Sequence, residues 1–257
     1  MRKAPFFLTS AILIILIAAF CGCNISFVGK ETDTSSDASG SSVSQNTNTD
    51  DTKKNDEASS IFQSESSKTT GINKNRITNS EGNTAQKEED ILASDTYIVK
   101  GRIETDGVIT PYHIARSGEK MSLMTEMKGV NLGLISTQSS MYIISPNKKI
   151  YSNVPDILKK SLRAEIEKAA SAEDRTLVSE GTKVVDGVKL DYKKFDDNSV
   201  DYSYKGVLVK QESYDDKGKQ VILYIDEVSD KVSDSDFSVP SNFRKVPITD
   251  FMAAFTK

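Results

Sequence analysis

Between Asn24 and Lys257 the chain contains no cysteine; its two thiols are Cys21 and Cys23. Beyond residue 23 that excludes a disulfide framework, a thiolate metal site and a cysteine nucleophile, so the fold there rests on packing alone. Tryptophan is absent, and His113 is the only histidine of 257 residues. One imidazole without a thiol supplies neither a histidine-based triad nor a histidine-rich zinc site. Set between Tyr112 and Ile114, it reads as a strand histidine on a polar or half-buried face. Clustered positive charge is missing too, and the formal net charge is -4. Nucleic-acid affinity rests on Lys and Arg neutralising phosphates, so nucleic acid is excluded as a partner. Glycine-rich phosphate loops and nucleophile elbows are absent. The carboxylate groups Asp230, Asp234, Asp236 and Asp196, Asp197, Asp201 lack the spacing of a calcium loop and read as solvated turn charges. No catalytic residue, metal or cofactor is expected.

One long apolar run is present. Arg2 and Lys3 precede FFLTSAILIILIAAF, Phe6 to Phe20, which ends in Cys21-Gly22-Cys23. A basic start, an apolar stretch of about 15 residues and a small residue at its end describe an export leader. A membrane-spanning helix needs about 20 apolar residues, so permanent spanning is the weaker reading. Phe20-Cys21-Gly22-Cys23 resembles a bacterial lipobox, in which the chain is cut before an acylated cysteine; Phe20 and Cys21 depart from the usual pattern. The resemblance implies a signal peptide over residues 1–22 and lipidation of Cys23. It also implies an extracytoplasmic chain anchored to the membrane by its acyl group. Loss of Arg2 and Lys3 with the leader would take the charge from -4 to -6.

Residues 23–90 form the next unit. From Asn24 to Asp90 there is no Leu or Tyr, and Phe27 and Phe62 are the only aromatics. Such composition cannot bury enough apolar surface to offset the entropy of ordering, which predicts a disordered tether spanning on the order of 45 Å as a random coil. Ile72 and Ile77 read here as isolated apolar residues in coil.

At Ile91 the composition changes, and all nine tyrosines lie between Tyr97 and Tyr224. Thr96–Ile103, Gly107–Arg116, Glu119–Met127, Val130–Ser136 and Ser140–Ser145 alternate with period two between short Gly- or Asn-bearing turns. That predicts an antiparallel meander, closed by a brief strand at Lys149–Ser152. The period then shifts to about 3.6: Pro155 suits a helix start, and Leu158, Leu162, Ile166 and Ala169 fall on one face. This helix needs an apolar partner, and the sheet is the obvious one. Strands resume to Ser229 with Asp186-Gly187 as a hairpin turn. Val188, Leu190, Tyr192, Val207, Val209, Val221, Leu223 and Ile225 read as one dry face; Lys189, Asp191, Lys193, Lys210, Glu212 and Asp226 read as the wet one. Ile248–Phe255 reads as a last short helix.

Five strands, a helix, five more strands and the tail Asp236-Phe237-Ser238-Val239-Pro240-Ser241-Asn242-Phe243-Arg244-Lys245-Val246 resemble the LolA-like lipoprotein carriers and lipoprotein-binding domains. So does the hairpin Tyr142-Ile143-Ile144-Ser145-Pro146-Asn147-Lys148-Lys149. The long N-terminal helix of that fold is reduced here to Ala85–Ala93, and a second covering helix is not evident. The resemblance implies an α+β domain over residues 91–257: a strongly curved antiparallel sheet, an incomplete β-barrel, covered by one or two helices around an apolar cavity. The expected cavity wall is Leu123, Met127, Leu134, Met141, Ile143, Leu158, Leu162, Ile166, Leu223 and Ile225.

Two functions compete at this point, with a carboxylate hydrolase a distant third. The first is a non-enzymatic lipoprotein binding an apolar ligand or a lipid or lipoprotein acyl chain. The second is an interaction or sensory module of the cell envelope with a filled core and a protein partner. Met121, Met124, Met127 and Met141 suit both, since thioethers fill cores and adapt to irregular ligands.

Overall fold

The computed structural model describes residues 70–78, 84–127, 129–170, 175–215 and 218–255. The expected leader, Cys23 and most of the expected tether lie outside them. Among the described residues no helix is long and apolar enough to cross a membrane.

Among the described residues twelve strands form one open sheet: β1 Thr96–Thr105, β2 Val108–Ser117, β3 Lys120–Met127, β4 Val130–Ser136, β5 Met141–Ser145, β6 Ile150–Asn153, β7 Leu177–Val185, β8 Val188–Phe195, β9 Val200–Tyr204, β10 Val207–Tyr214, β11 Gln220–Ser229 and β12 Arg244–Lys245. Their order is β12-β6-β5-β4-β3-β2-β1-β11-β10-β9-β8-β7, so two meanders join where β1 pairs with β11. Every pairing is antiparallel except β12 with β6. The helices are few: α1 Lys74–Thr78, α2 Thr84–Ala93, α3 Asp156–Ala170 and α4 Ile248–Ala253.

Alternation and turn chemistry account for the ladder. Asp106-Gly107, Asp186-Gly187 and Lys205-Gly206 each place two successive residues at positive φ, the two-residue hairpin geometry whose twist matches that of paired strands. At Gly101 the reason for glycine is room rather than φ. A Cβ there would sit 2.0 Å from the Tyr224 carbonyl oxygen and 2.6 Å from the Tyr112 hydroxyl, which lies across the strand.

Both faces of the first meander are covered. On one face Ile103, Ile114, Leu123, Leu134, Ile143, Leu223 and Ile225 join a single cluster with Ile91 of α2, Leu158 and Leu162 of α3 and Phe251 of α4. Three helices therefore reach this face, where one or two were expected. On the other face the returning tail lays Val232 and Phe237 over Ile98 and Ala115, and Val239 and Phe243 over Met124, Ile135 and Ile144.

The single dry face expected of the second meander is corrected by the register. Lys210 stands opposite both Tyr224 and Tyr202, and Tyr202 opposite Tyr192. Leu190, Tyr192, Tyr202, Val207, Val209 and Tyr224 consequently line the face opposite Leu223 and Ile225. One irregularity permits the switch, leaving Val209 without an opposite residue; a second, at the β1–β11 seam, leaves Asp226 without one. Lys210 is buried on that face, its ammonium 5.4 Å from the Tyr202 ring, 5.7 Å from the Tyr224 ring and paired with Glu212 at 2.8 Å. It is not the exposed lysine that alternation suggested.

The packed domain also starts before Ile91. Ile72 and Ile77 are buried against Leu190, Tyr202, Val207 and Tyr224. The Ile72 N–H donates to Asp186 at 3.1 Å, and Arg76 of α1 pairs with Glu88 of α2 at 2.6 Å. Two isoleucines in a polar stretch carry no periodic signal, so only the sheet face they meet reveals their role.

His113 lies on the tail-covered face, opposite Lys100 in register, and neither ring nitrogen has a hydrogen-bond partner among the described residues. Burial lowers its pKa below the ordinary 6.5, reinforced by Lys100 and opposed by Asp236 and Glu227. Below pH 6.5 the unfolded chain binds a proton that the folded chain resists, so stability rises with pH through this window and falls as pH drops. His113→Gln is expected to flatten the slope of unfolding free energy between pH 7 and pH 5, measured by urea titration. A slope identical to that of the parent would show that His113 titrates freely.

Candidate binding face

The candidate site is the face that carries Leu123 and Leu134. Register aligns a row across it: Val228, Val99, Ile114, Leu123, Leu134 and Ile143 stand side by side on β11, β1, β2, β3, β4 and β5. Flanking positions add Met141 towards α3, and Ile103 with Leu223 and Ile225 at the seam between the meanders. Cross-strand apolar neighbours of this kind stabilise a sheet by about 0.2–1 kcal/mol per pair relative to alanine pairs.

Of the expected cavity wall, Leu123, Leu134, Met141, Ile143, Leu223 and Ile225 are buried together, and Leu158 and Leu162 pack on them from α3. The side chains of Met127 and Ile166 lie outside the described set. Alternation could have found Ile103 and Ile114, which share this face. Phe251 and Ile91 come from segments distant in sequence, and no local signal marks them as members.

The three covering helices are attached through different described contacts. Phe251 of α4 is 0% exposed, its ring 5.1 Å from that of Phe255, which in turn lies under Lys148 at 5.4 Å. Ile91 of α2 is buried and Leu92 half-buried. α3 is held through Leu158 and Leu162, and through Arg163, whose guanidinium donates to the carbonyl oxygens of Thr137 and Gln138 at 2.9 Å each. Ile157, on its first turn, is 76% exposed.

Buried polar groups on this face include Tyr112, Thr125 and Ser145, and the Ser145 hydroxyl has no hydrogen-bond partner among the described residues. The Tyr112 hydroxyl donates to the Tyr224 carbonyl at 3.3 Å, and burial raises its pKa well above that of an ordinary phenol. Five of the six aspartates considered above make structural contacts. Asp201 binds Arg175 at 3.0 Å and Gln211 at 2.8 Å, Asp234 binds Lys120 at 2.8 Å, and Asp236 accepts the Ser233 N–H in a capping box. Asp196 and Asp197 accept the backbone N–H groups of Thr176 and Ser199. Among the described residues no group of three or more His, Cys, Asp or Glu is placed to hold a metal ion.

No family model and no curated protein matches this chain. Solved structures similar to it include the Pseudomonas aeruginosa MucA/MucB complex, at 14% identity and TM-score 0.35 over 63% of each chain. A conserved protein from Thermus thermophilus follows at 11%, 0.39, and 64% and 99% coverage. The LolA superfamily protein NE2245 from Nitrosomonas europaea stands at 13%, 0.30, and 61% and 97%. The chain thus spans less than two thirds of the MucB chain. At TM-scores below 0.5 these likenesses decide neither fold nor function.

Proposed function

We propose that this chain is an extracytoplasmic, non-catalytic binding lipoprotein of LolA-like architecture. Residues 1–22 are its leader and acylated Cys23 is its membrane anchor, with a tether that ends before Gly71. Its ligand is an acyl chain or a similarly slender apolar group, taken up between α3 and the row Ile114, Leu123, Leu134, Ile143. The observation that carries this reading is the extended apolar face beneath α3, which the half-buried Leu158 and Leu162 cover and beside which Arg163 binds. A ligand that replaces the contacts of Leu158 and Leu162 would compete with them for this face.

The test uses the full chain in mild detergent with palmitate or a diacyl phospholipid added. Native mass spectrometry is expected to find bound acyl mass, and the melting temperature to rise as ligand selects the folded state. Leu162→Asp should abolish both effects, and Cys23→Ser should abolish incorporation of labelled palmitate while leaving binding intact. A chain that takes up no acyl mass and shows no shift removes this reading. The second reading, an envelope interaction module with a filled core, has Phe251 in its favour: its fully buried ring already occupies the covered face.

A further inference from the structure

The two edges of the sheet are treated differently. At one, β6 is covered by β12, with the Arg244 N–H donating to Lys149 and the Val246 N–H to Tyr151, and α4 follows directly. At the other, β7 has β8 as its only sheet neighbour among the described residues, and eight of its nine residues are exposed. Val178 and Val184 are 60% and 66% exposed and Leu177 is 47% exposed. A long exposed edge strand bearing apolar side chains is a template for another strand.

The sequence of this strand nearly mirrors itself. About Gly181, Glu180 matches Thr182, Ser179 matches Lys183, Val178 matches Val184 and Leu177 matches Val185, so apolar residues fall at both ends and polar ones at the centre. Val185 and Val188 close a two-residue turn and exchange hydrogen bonds, so Ser179, Gly181 and Lys183 bond to β8. Glu180, Thr182 and Val184 therefore direct their N–H and C=O groups outward. We propose that a second copy of this chain docks here, β7 against β7 in antiparallel register centred on Gly181, joining two sheets into one across a twofold axis. Glu180 then exchanges hydrogen bonds with Thr182 of the other copy, twice by symmetry, and Val178 covers Val184 on both sides. The irregularity at Val178 ends the regular ladder and limits the pairing to this short segment. The proposal rests on the outward edge of β7 and not on the face that carries Leu123 and Leu134, so it stands whether or not an acyl chain binds there.

The absence of cysteine after residue 23 makes the test clean. Gly181 faces its own copy across the axis as a non-hydrogen-bonded pair, about 4.5 Å between Cα atoms, within disulfide range. A Cβ at 181 would meet the Tyr192 ring at 3.1 Å, and that ring is half-buried and can tilt aside. The full chain in mild detergent at tens of micromolar is expected to sediment with twice its monomer mass. Val184→Lys, at an exposed position, and Thr182→Pro, which lacks the outward N–H, should sediment as monomers. Gly181→Cys under mild oxidation should yield a reducible dimer above the background set by Cys21 and Cys23. A monomeric parent chain, a Val184→Lys chain that dimerises like the parent, or crosslinking through Thr182→Cys in place of Gly181→Cys overturns the proposal.

Discussion

Phe251→Ala is expected to lower stability by about 3–5 kcal/mol, the range for emptying an aromatic site in a core. For a domain of this size that corresponds to a melting temperature lower by on the order of 10 °C. The ring is wholly buried in the cluster that runs from Ile91 to Val246, and it contacts Phe255. Its helix has six residues and no side-chain cap, too little to persist without docking. Truncation thus removes the helix's anchor as well as its own buried surface. Val246 and β12 precede α4 directly, so the covered edge of the sheet should loosen with it. Urea unfolding followed by tyrosine emission measures the change without tryptophan interference. Met252→Ala, at a neighbouring exposed position, is the control and should stay within about 0.5 kcal/mol of the parent. A Phe251→Ala chain as stable as that control would mean the ring is not packed as described.

Arg102→Ala should cost a comparable amount, about 3–5 kcal/mol, because it strips one partner from a buried ion pair. Arg102 is 3% exposed. Its Nε and Nη2 donate to the two Asp226 oxygens at 2.9 Å each, and Nη2 also donates to the Gly71 carbonyl at 2.9 Å. Its guanidinium carbon lies 5.1 Å from the Tyr224 ring centroid. Asp226 is the extra residue at the β1–β11 irregularity, so this pair fixes the register of the seam and holds the chain entering α1. Lys100, one pleat away, pairs with Glu227 at 3.0 Å in the open, where such contacts contribute about 0–1 kcal/mol. Lys100→Ala should be nearly silent. Arg102→Met combined with Asp226→Leu should recover much of the loss, since an apolar pair leaves no buried charge behind. Equal small effects from Arg102→Ala and Lys100→Ala would show that the guanidinium is hydrated.

What was legible in the sequence follows from how local each signal is. The strands of both meanders and α3 could be read because alternation, the shift in period at Asp156 and the Asp-Gly turns are properties of a few adjacent residues. Leu123, Leu134 and Ile143 could be placed together because short turns make neighbouring strands pair in register. β12 could not be read: two residues form it, and its partner β6 lies in a distant part of the chain. The switch of faces in the second meander escaped because it depends on the extra residue Val209, and an irregularity leaves no compositional mark. Ile72 and Ile77 escaped because burial here comes from a face built by β8 to β11 more than a hundred residues later.

The strand order carries a kinetic consequence. Each hairpin closes over a handful of residues, but β1 must wait for β11, whose residue Val221 pairs with Thr105. Until that partner docks, the first meander carries a bare flank beside Val99 and Ile103. Zipping of the β1–β11 seam is then the step that sets the folding rate, since its long loop must be closed before any contact rewards the closure. The interval before it is when the open flank of the first meander is most exposed to pairing with another chain.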